Sequence, residues 1–281
     1  MSVDTTLAAN IDATQDYIPV ASTANFSTSV VAEVESTNEV VSFTDISENL
    51  SHYSEQFDNA YWTESRCSVS ADAGVAPDGT TTADKLIPNS GLQSASSVYI
   101  LRVVAGSSYT YSVYAKPDGF DYVTVNFQTS GSSSTQGVRF NISTGAVDAS
   151  QNATGTITDA GNGWYRCSMI PTTTTATVSH MIAASAGGSF STYFNTPVTG
   201  DGSKGILIWG AQYETGTLTT YLPTTSAALV GLTNVTRGAN GTTAASATSG
   251  DDIQQLPYAL LNVDMPVRLK GLSVSSDGTG A

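Results

Sequence analysis

The chain has 281 residues, with 24 Asp+Glu against 10 Lys+Arg and a formal charge of −14. Nucleic-acid binding depends on basic side chains that displace counterions, so this balance excludes it as a function class. Apolar residues make up 40% and charged residues 12%, which supports a folded core and argues against a long disordered chain. Ser, Thr, Gly and Ala dominate the rest, and long helical patterns are absent. That mix predicts an all-β protein.

Met1 to Asn10 is polar, with no basic n-region or apolar h-region, so synthesis in a cytoplasm without N-terminal export is expected. No apolar run approaches the ~20 residues that span a bilayer, so no membrane insertion is expected. Cys67 and Cys167 are the two cysteines. Two buried free thiols are the simplest reading of them, although spacing alone leaves a pair open.

In chain order, Thr5 to Ile11 precedes a polar break at Asp12 to Asp16. Tyr17 to Ala21 reads as a short strand that Pro19 confines to an edge or a strand end. Val30 to Val34 and Glu39 to Ile46 flank Glu35-Ser36-Thr37-Asn38, a hairpin turn. In the second strand Val41, Phe43 and Asp45 share one face, and the residues that follow supply no further hairpin partner. Ala228 to Thr236 is a strand, followed by a turn at Arg237 to Gly241. Thr158 to Met169 holds a tight turn at Asp159 to Gly163 and then the strand Trp164 to Met169.

Thr5 to Phe26 resembles the run T-T-L-A-A-x-I-D-A-T-x-x-x-I-P-V-A-S-T-A-x-F of short β domains in phage virion proteins. Leu232 to Ala245 resembles the closing run L-T-x-V-T-R-G-A-N-G-T-T-A-A of the same domains. Some 180 residues separate the two runs here, read from the numbering. The resemblance implies a domain inserted at a hairpin tip, where insertions are tolerated. Val40 to Ile46 is then expected to pair antiparallel with Ala228 to Thr236.

The insert carries N-L-x-x-x-S-x-x-F-x-N-x-x-W at Asn49 to Trp62, and A-P-D-G-T-x-T-A-D-K-L at Ala76 to Leu86. Tyr109 to Lys116, Gly163 to Ser168, Trp209 to Glu214 and Tyr221 to Thr225 complete the series. Together these resemble the carbohydrate-binding jelly-roll modules of phage tail and fibre proteins. The expected fold is an antiparallel jelly-roll β-sandwich at residues 48–226, inserted into a small discontinuous β domain at 1–47 plus 227–255. A C-terminal arm follows at 256–281.

Strand alternation selects candidate sugar-binding residues. In Tyr109 to Lys116, the set Tyr109, Tyr111, Val113, Ala115 should face the core, leaving Ser112, Tyr114 and Lys116 on the other face. Val123, Val125 and Phe127 face inward, leaving Thr124, Asn126 and Gln128 outward. Val138 and Phe140 face inward, leaving Arg139 outward. Tyr114, Lys116, Asn126, Gln128 and Arg139 are then expected to share one solvent-facing surface. Rings stack on the apolar face of a sugar, while amides and guanidinium bond its hydroxyls. An ordinary solvated sheet face is the alternative. Trp62, Trp164 and Trp209 read as packing residues.

His52 and His180 are the only histidines, with no G-x-S-x-G elbow, no H-E-x-x-H and no Cys pair at zinc spacing, so no catalytic residue is assigned. Two carboxylates across a cleft would suffice for glycoside hydrolysis, which the sequence leaves open. The jelly-roll resemblance implies a structural calcium ion, for which no ligands can be chosen. The whole reads as a virion structural protein on the particle exterior, in tail, neck or fibre, binding host surface glycans. Its expected partners are other virion proteins and its own copies, as a homo-oligomer with a trimer favoured. A capsid decoration protein without sugar binding is the alternative. The segment Leu256 to Leu269, broken by Pro257 and Pro266, reads either as a strand packed on its own domain or as an arm at a subunit contact.

Overall fold

The computed structural model describes residues 5–24, 26, 31–93, 96–104, 109–129, 136–172, 177–187 and 197–256, with the backbone alone at 101–104, 128–129 and 177–178. All regular structure in that set is strand, apart from a 3-10 turn at Ala239–Gly241. Beyond Leu256 the predicted arm lies outside the described residues.

The strands in chain order begin with β1 (Thr5–Thr6), β2 (Ile18–Val20), β3 (Val31–Val34), β4 (Glu39–Ser42) and β5 (Asp45–Asn49). The middle of the chain holds β6 (Thr63–Ser65), β7 (Cys67–Gly74), β8 (Ala83–Pro88), β9 (Gly91–Gln93), β10 (Ser96–Val104), β11 (Tyr109–Asp118) and β12 (Tyr122–Thr129). It continues with β13 (Gln136–Asn141), β14 (Ala146–Gln151), β15 (Ala153–Gly161), β16 (Trp164–Pro171), β17 (Thr177–Ser185), β18 (Val198–Gly200) and β19 (Gly205–Thr215). The chain then returns to β20 (Leu229–Thr233) and β21 (Asp252–Gln255).

The two chain ends build one closed barrel. β3 pairs with β4 through the predicted turn, with Val34 opposite Glu39. β4 and β5 form one bent strand, whose second half pairs antiparallel with β20 from Asn49–Leu229 to Asp45–Thr233. The same register reaches back to a bridge between Ser42 and Thr236. β20 pairs with β2, and β2 meets the end of β1 at Leu7–Val20. β1 pairs with β21, and β21 closes the ring on β3. Pro19 sits in the outer strand of its ladder, where its missing N–H leaves the single contact to β1 intact. Leu7, Ile18, Val34, Val41, Phe43, Leu232 and Ile253 fill the interior.

Asn49 and Leu229 mark where the middle of the chain leaves and re-enters the barrel, and they face each other in one antiparallel pair. The intervening residues fold into two six-stranded antiparallel sheets, ordered β14-β13-β12-β17-β10-β6 and β15-β16-β11-β19-β8-β7. Here they are the front and back sheets. The chain crosses between them at β6–β7, β10–β11, β11–β12, β14–β15 and β16–β17, and by way of β9 and β18 between β8 and β10 and between β17 and β19, the pattern of a jelly-roll sandwich. Val98, Tyr111, Val113, Val123, Val125, Phe140, Cys167 and Ile182 are buried between the sheets. Asn162 and Gly163, both at positive φ (52° and 81°), make the two-residue loop joining β15 to β16. Cys67 and Cys167 are free and buried.

The motifs of the insert prove to be stitching. Asn49 donates to the carbonyls of Ala211 (3.0 Å) and Leu222 (2.9 Å), and accepts from the amides of Ser51 and Tyr213. Asp84 accepts the amides of Phe57 (2.7 Å) and Asp72 (3.0 Å). The indole N–H groups of Trp62, Trp164 and Trp209 donate to Tyr53 O, Val75 O and Thr82 Oγ1. In the barrel, Arg237 grips Glu39 with two bonds of 2.8 Å and reaches the carbonyls of Asp12, Gln15 and Ala245. Glu39 also accepts the amides of Gly238 and Ala245. Gly238 turns at φ 63°, and a Cβ there would stand 2.8 Å from Thr242 O, so the turn carrying Arg237 requires glycine.

Candidate glycan-binding face

The inside–outside phase predicted for β11, β12 and β13 is the observed one. Tyr111, Val113, Ala115, Val123, Val125, Phe127, Val138 and Phe140 all lie in the shared core. The single surface expected for the candidate residues does not form. Tyr114 and Lys116 stand on β11, in the back sheet, whereas Asn126, Gln128 and Arg139 stand on β12 and β13, in the front sheet. β11 and β12 are consecutive in sequence yet lie in opposite sheets, so their outward faces look away from each other. Alternation separates inside from outside, but a sandwich has two outsides. Asn126 and Arg139 are also buried, at 2% and 3% exposure, contrary to the expected solvent-facing position. The side chain of Gln128 lies outside the described residues.

The middle of the outer face of the back sheet is covered, while its flanking strands β15 and β7 stay exposed. The segment 216–228 crosses it and is held by side chains of β16 and β19. Arg166 donates to Thr219 O (2.7 Å) and Ser112 Oγ (3.2 Å). Gln212 donates to Glu214 (3.0 Å) and accepts the Leu222 amide (2.8 Å). Glu214 accepts the amide and hydroxyl of Thr219. Tyr114 packs edge-on against Trp209 (5.3 Å) and Tyr221 (5.9 Å), with the Arg166 guanidinium 5.4 Å from its ring centre. Tyr114 is thus a packing residue beneath the crossing segment. Lys116 is half-buried near the end of β11.

The outer face of the front sheet is different. Register places Ser97, Ala183, Thr124 and Arg139 in one row across β10, β17, β12 and β13. The next row holds Tyr99, Met181, Asn126 and Gly137. Ser97, Thr124 and Asn126 are each at most 2% exposed, yet Ser97 Oγ, Thr124 Oγ1 and Asn126 Oδ1 have no hydrogen-bond partner. Leaving a buried polar group unpaired costs on the order of 1–3 kcal/mol, and native interiors rarely hold several together. Small residues floor the row, and half-buried Tyr99 and Met181 flank it on one side. On the other side, half-buried Tyr122 lies under the Arg139 guanidinium, 5.6 Å from ring centre to Cζ. Arg139 is ion-paired with Asp148. The charge on this face is compensated, and its uncommitted groups are neutral.

Ser97 and Thr124 were not among the candidates from sequence. A small hydroxyl residue in an alternating strand reads as solvated surface, and only the register between strands shows the two in one row. Among the described residues no group of three or more His, Cys, Asp or Glu side chains could hold a metal ion. The calcium ion implied by the jelly-roll resemblance therefore finds no carboxylate cluster here.

No protein-family model matches the chain, and no curated protein matches it in sequence. Among solved structures, the CBM22-1–GH10 modules of endo-1,4-beta-D-xylanase 10B from Clostridium thermocellum, complexed with xylohexaose, align with 63% of this chain and 29% of that one. The identity is 15% and the TM-score 0.33. The enzymatically active domain of tailspike protein 4 from bacteriophage CBA120 aligns over 60% of this chain and 21% of that one. Its identity is 16% and its TM-score 0.33. Likenesses this distant carry no argument about ligand or activity.

Proposed function

We propose that the chain is a phage virion structural protein that displays a glycan-binding sandwich on a barrel used for attachment to the particle. The observation that carries the binding role is the row of buried, unpartnered polar atoms at Ser97, Thr124 and Asn126. Strands lie about 4.8 Å apart, so Ser97 to Arg139 spans roughly 14 Å. That length and the neutral character of the row fit a linear, uncharged oligosaccharide lying across the strands; because the three oxygens are buried in the free chain, its hydroxyls meet them only when their cover is displaced. Tyr99 and Tyr122 offer rings at the margins. The support for the virion assignment is the resemblance of Thr5 to Phe26 and Leu232 to Ala245 to runs in phage β domains. We place the protein on the particle exterior, in tail, neck or fibre, with other virion proteins and its own copies as partners, a trimer favoured. The module is a binder in this reading and not a hydrolase.

The test is a glycan array with the full-length chain, its Thr124→Val and Asn126→Ala variants, and a reducing-sugar assay on any ligand found. Binding by the wild type and its loss by at least about tenfold in both variants supports the reading. An array with no ligand, by a protein that is fully folded, favours the decoration role. Release of reducing ends would make the module an enzyme. Labelling of intact particles with an antibody to the sandwich tests the position on the virion.

A further inference from the structure

Where the barrel meets the sandwich lies an open groove of about 300 Å³, lined by Ala8, Val20, Ala21, Leu50, Leu229 and Val230 among others, all of them apolar. Barrel closure uses up the strand edges around it, so a visitor must bind through side chains and not by adding a strand.

The chain itself holds a segment of matching character. Leu261, Val263, Met265, Val267 and Leu269 alternate with Asn262, Asp264, Pro266, Arg268 and Lys270. An extended backbone with this pattern carries one apolar face and one polar face. Charge is complementary as well. Residues 5–49 and 228–256 hold nine acidic side chains and one basic, Arg237, which is committed to Glu39. The segment ends its apolar run on Arg268 and Lys270.

The point of departure puts the groove in reach. β21 runs from Asp252, opposite Thr6, to Gln255, opposite Ala32, and the Leu256 amide donates to Val31 O. Ala8 and Ala21 adjoin the Thr6 end, where the Ala21 amide donates to Thr6 O. Leu256 therefore stands about 13 Å along the strand direction from that end, at ~3.3 Å per residue. With the sideways step of two strands from β21 to β2, about 10 Å, the return comes to about 16 Å, which the five residues to Leu261 span at up to about 17 Å.

We propose that Leu261 to Leu269 folds back on its own barrel and seats its apolar face in this groove, independently of any glycan. The test uses the full-length chain with Ala228→Cys and Val263→Cys, mildly oxidised and read by non-reducing gel and peptide mass. Cys67 and Cys167 are buried and stay out of the reaction. The expected product is a 228–263 disulfide at monomer mass, formed at least about tenfold faster than in a control pair of Ala228→Cys and Thr279→Cys. Met265→Asp, which changes no residue of the barrel, should slow the 228–263 disulfide by a similar factor. No disulfide, a disulfide only at dimer mass, or equal rates in pair and control would each overturn the proposal.

Discussion

Replacing Glu39 with Gln should loosen the barrel while the sandwich stays folded. Glu39 is fully buried and Arg237 is 8% exposed on its side chain. Removing one partner of such a pair leaves an uncompensated buried charge, at about 3–5 kcal/mol. A barrel this small has little more stability than that to lose. All three tryptophans lie in the sandwich, so tryptophan fluorescence will not see the change. Hydrogen exchange at the amides of β3, β4 and β21 will. At 1.4 kcal/mol per factor of ten, those amides should exchange roughly two to three and a half orders of magnitude faster. The pH dependence has a defined sign. Burial alone would raise the Glu39 carboxyl, but the Arg237 bonds and the Gly238 and Ala245 amides outweigh it and hold the pKa below 4.5. A depressed carboxyl stabilises the fold above its unfolded pKa, and that stability is lost as pH falls through the folded value. Wild-type exchange in the barrel should therefore accelerate in acid below about pH 4.5, and the Gln variant should lack that step. Exchange changed less than about tenfold by Glu39→Gln at pH 7 would refute the account.

Thr124→Val removes an unpartnered buried hydroxyl and keeps the shape, so it should raise the stability of the sandwich by about 1 kcal/mol in urea denaturation while it weakens glycan binding; a loss of stability would mean the hydroxyl is bonded. Asp84 behaves oppositely to Glu39: burial pushes its carboxyl up to about 6, so its contribution is present below about pH 4 and lost as pH rises to 6, and Asp84→Asn should remove that part of the pH profile. Arg139→Ala should destabilise the sandwich by about 1–2 kcal/mol, chiefly through the lost packing of its buried side chain, because its partner Asp148 stays in contact with solvent; calorimetry reads it. Replacing residues 50–228 with a two-residue turn should leave a folded barrel, since Asn49 and Leu229 already face each other, and an unfolded product by circular dichroism would show that the barrel depends on its insert.

Much of the barrel and the strand phases could be read from residue patterns. The Glu35 to Asn38 turn, the edge position of Pro19, and the inward sets on β11, β12 and β13 follow from local chemistry and period-two alternation. The pairing of β5 with β20 was readable because Val41 and Phe43 needed a covered face that nearby sequence could not supply. The structure places the pairing segment at Asp45 to Asn49, while Glu39 to Ser42 turns to β3. What alternation could not carry is which sheet a strand joins. That choice is made at Gly119 to Asp121, where the chain crosses from back to front, and it separates Tyr114 from Asn126.

The two outer faces show why a polar outward residue is weak ground for a binding site until its partners are known. Ser112, Arg166, Gln212 and Glu214 look in sequence like a ligand-ready set of hydroxyl, guanidinium, amide and carboxylate. Segment 216–228 engages Arg166, Gln212 and Glu214, and Arg166 in turn engages Ser112. Ser97, Thr124 and Asn126 look plainer, yet theirs are the oxygens left unpaired under cover. Burial without a partner is a cost the fold carries in the absence of a ligand. A ligand that supplies the missing bonds recovers it, so the same feature that lowers the stability of the free sandwich raises its affinity for the molecule that fits. A stability increase in Thr124→Val coupled to a loss of glycan binding would show both sides of that exchange at one residue. A stability increase with binding unchanged would mean that the row is a defect and that the ligand, if there is one, sits elsewhere.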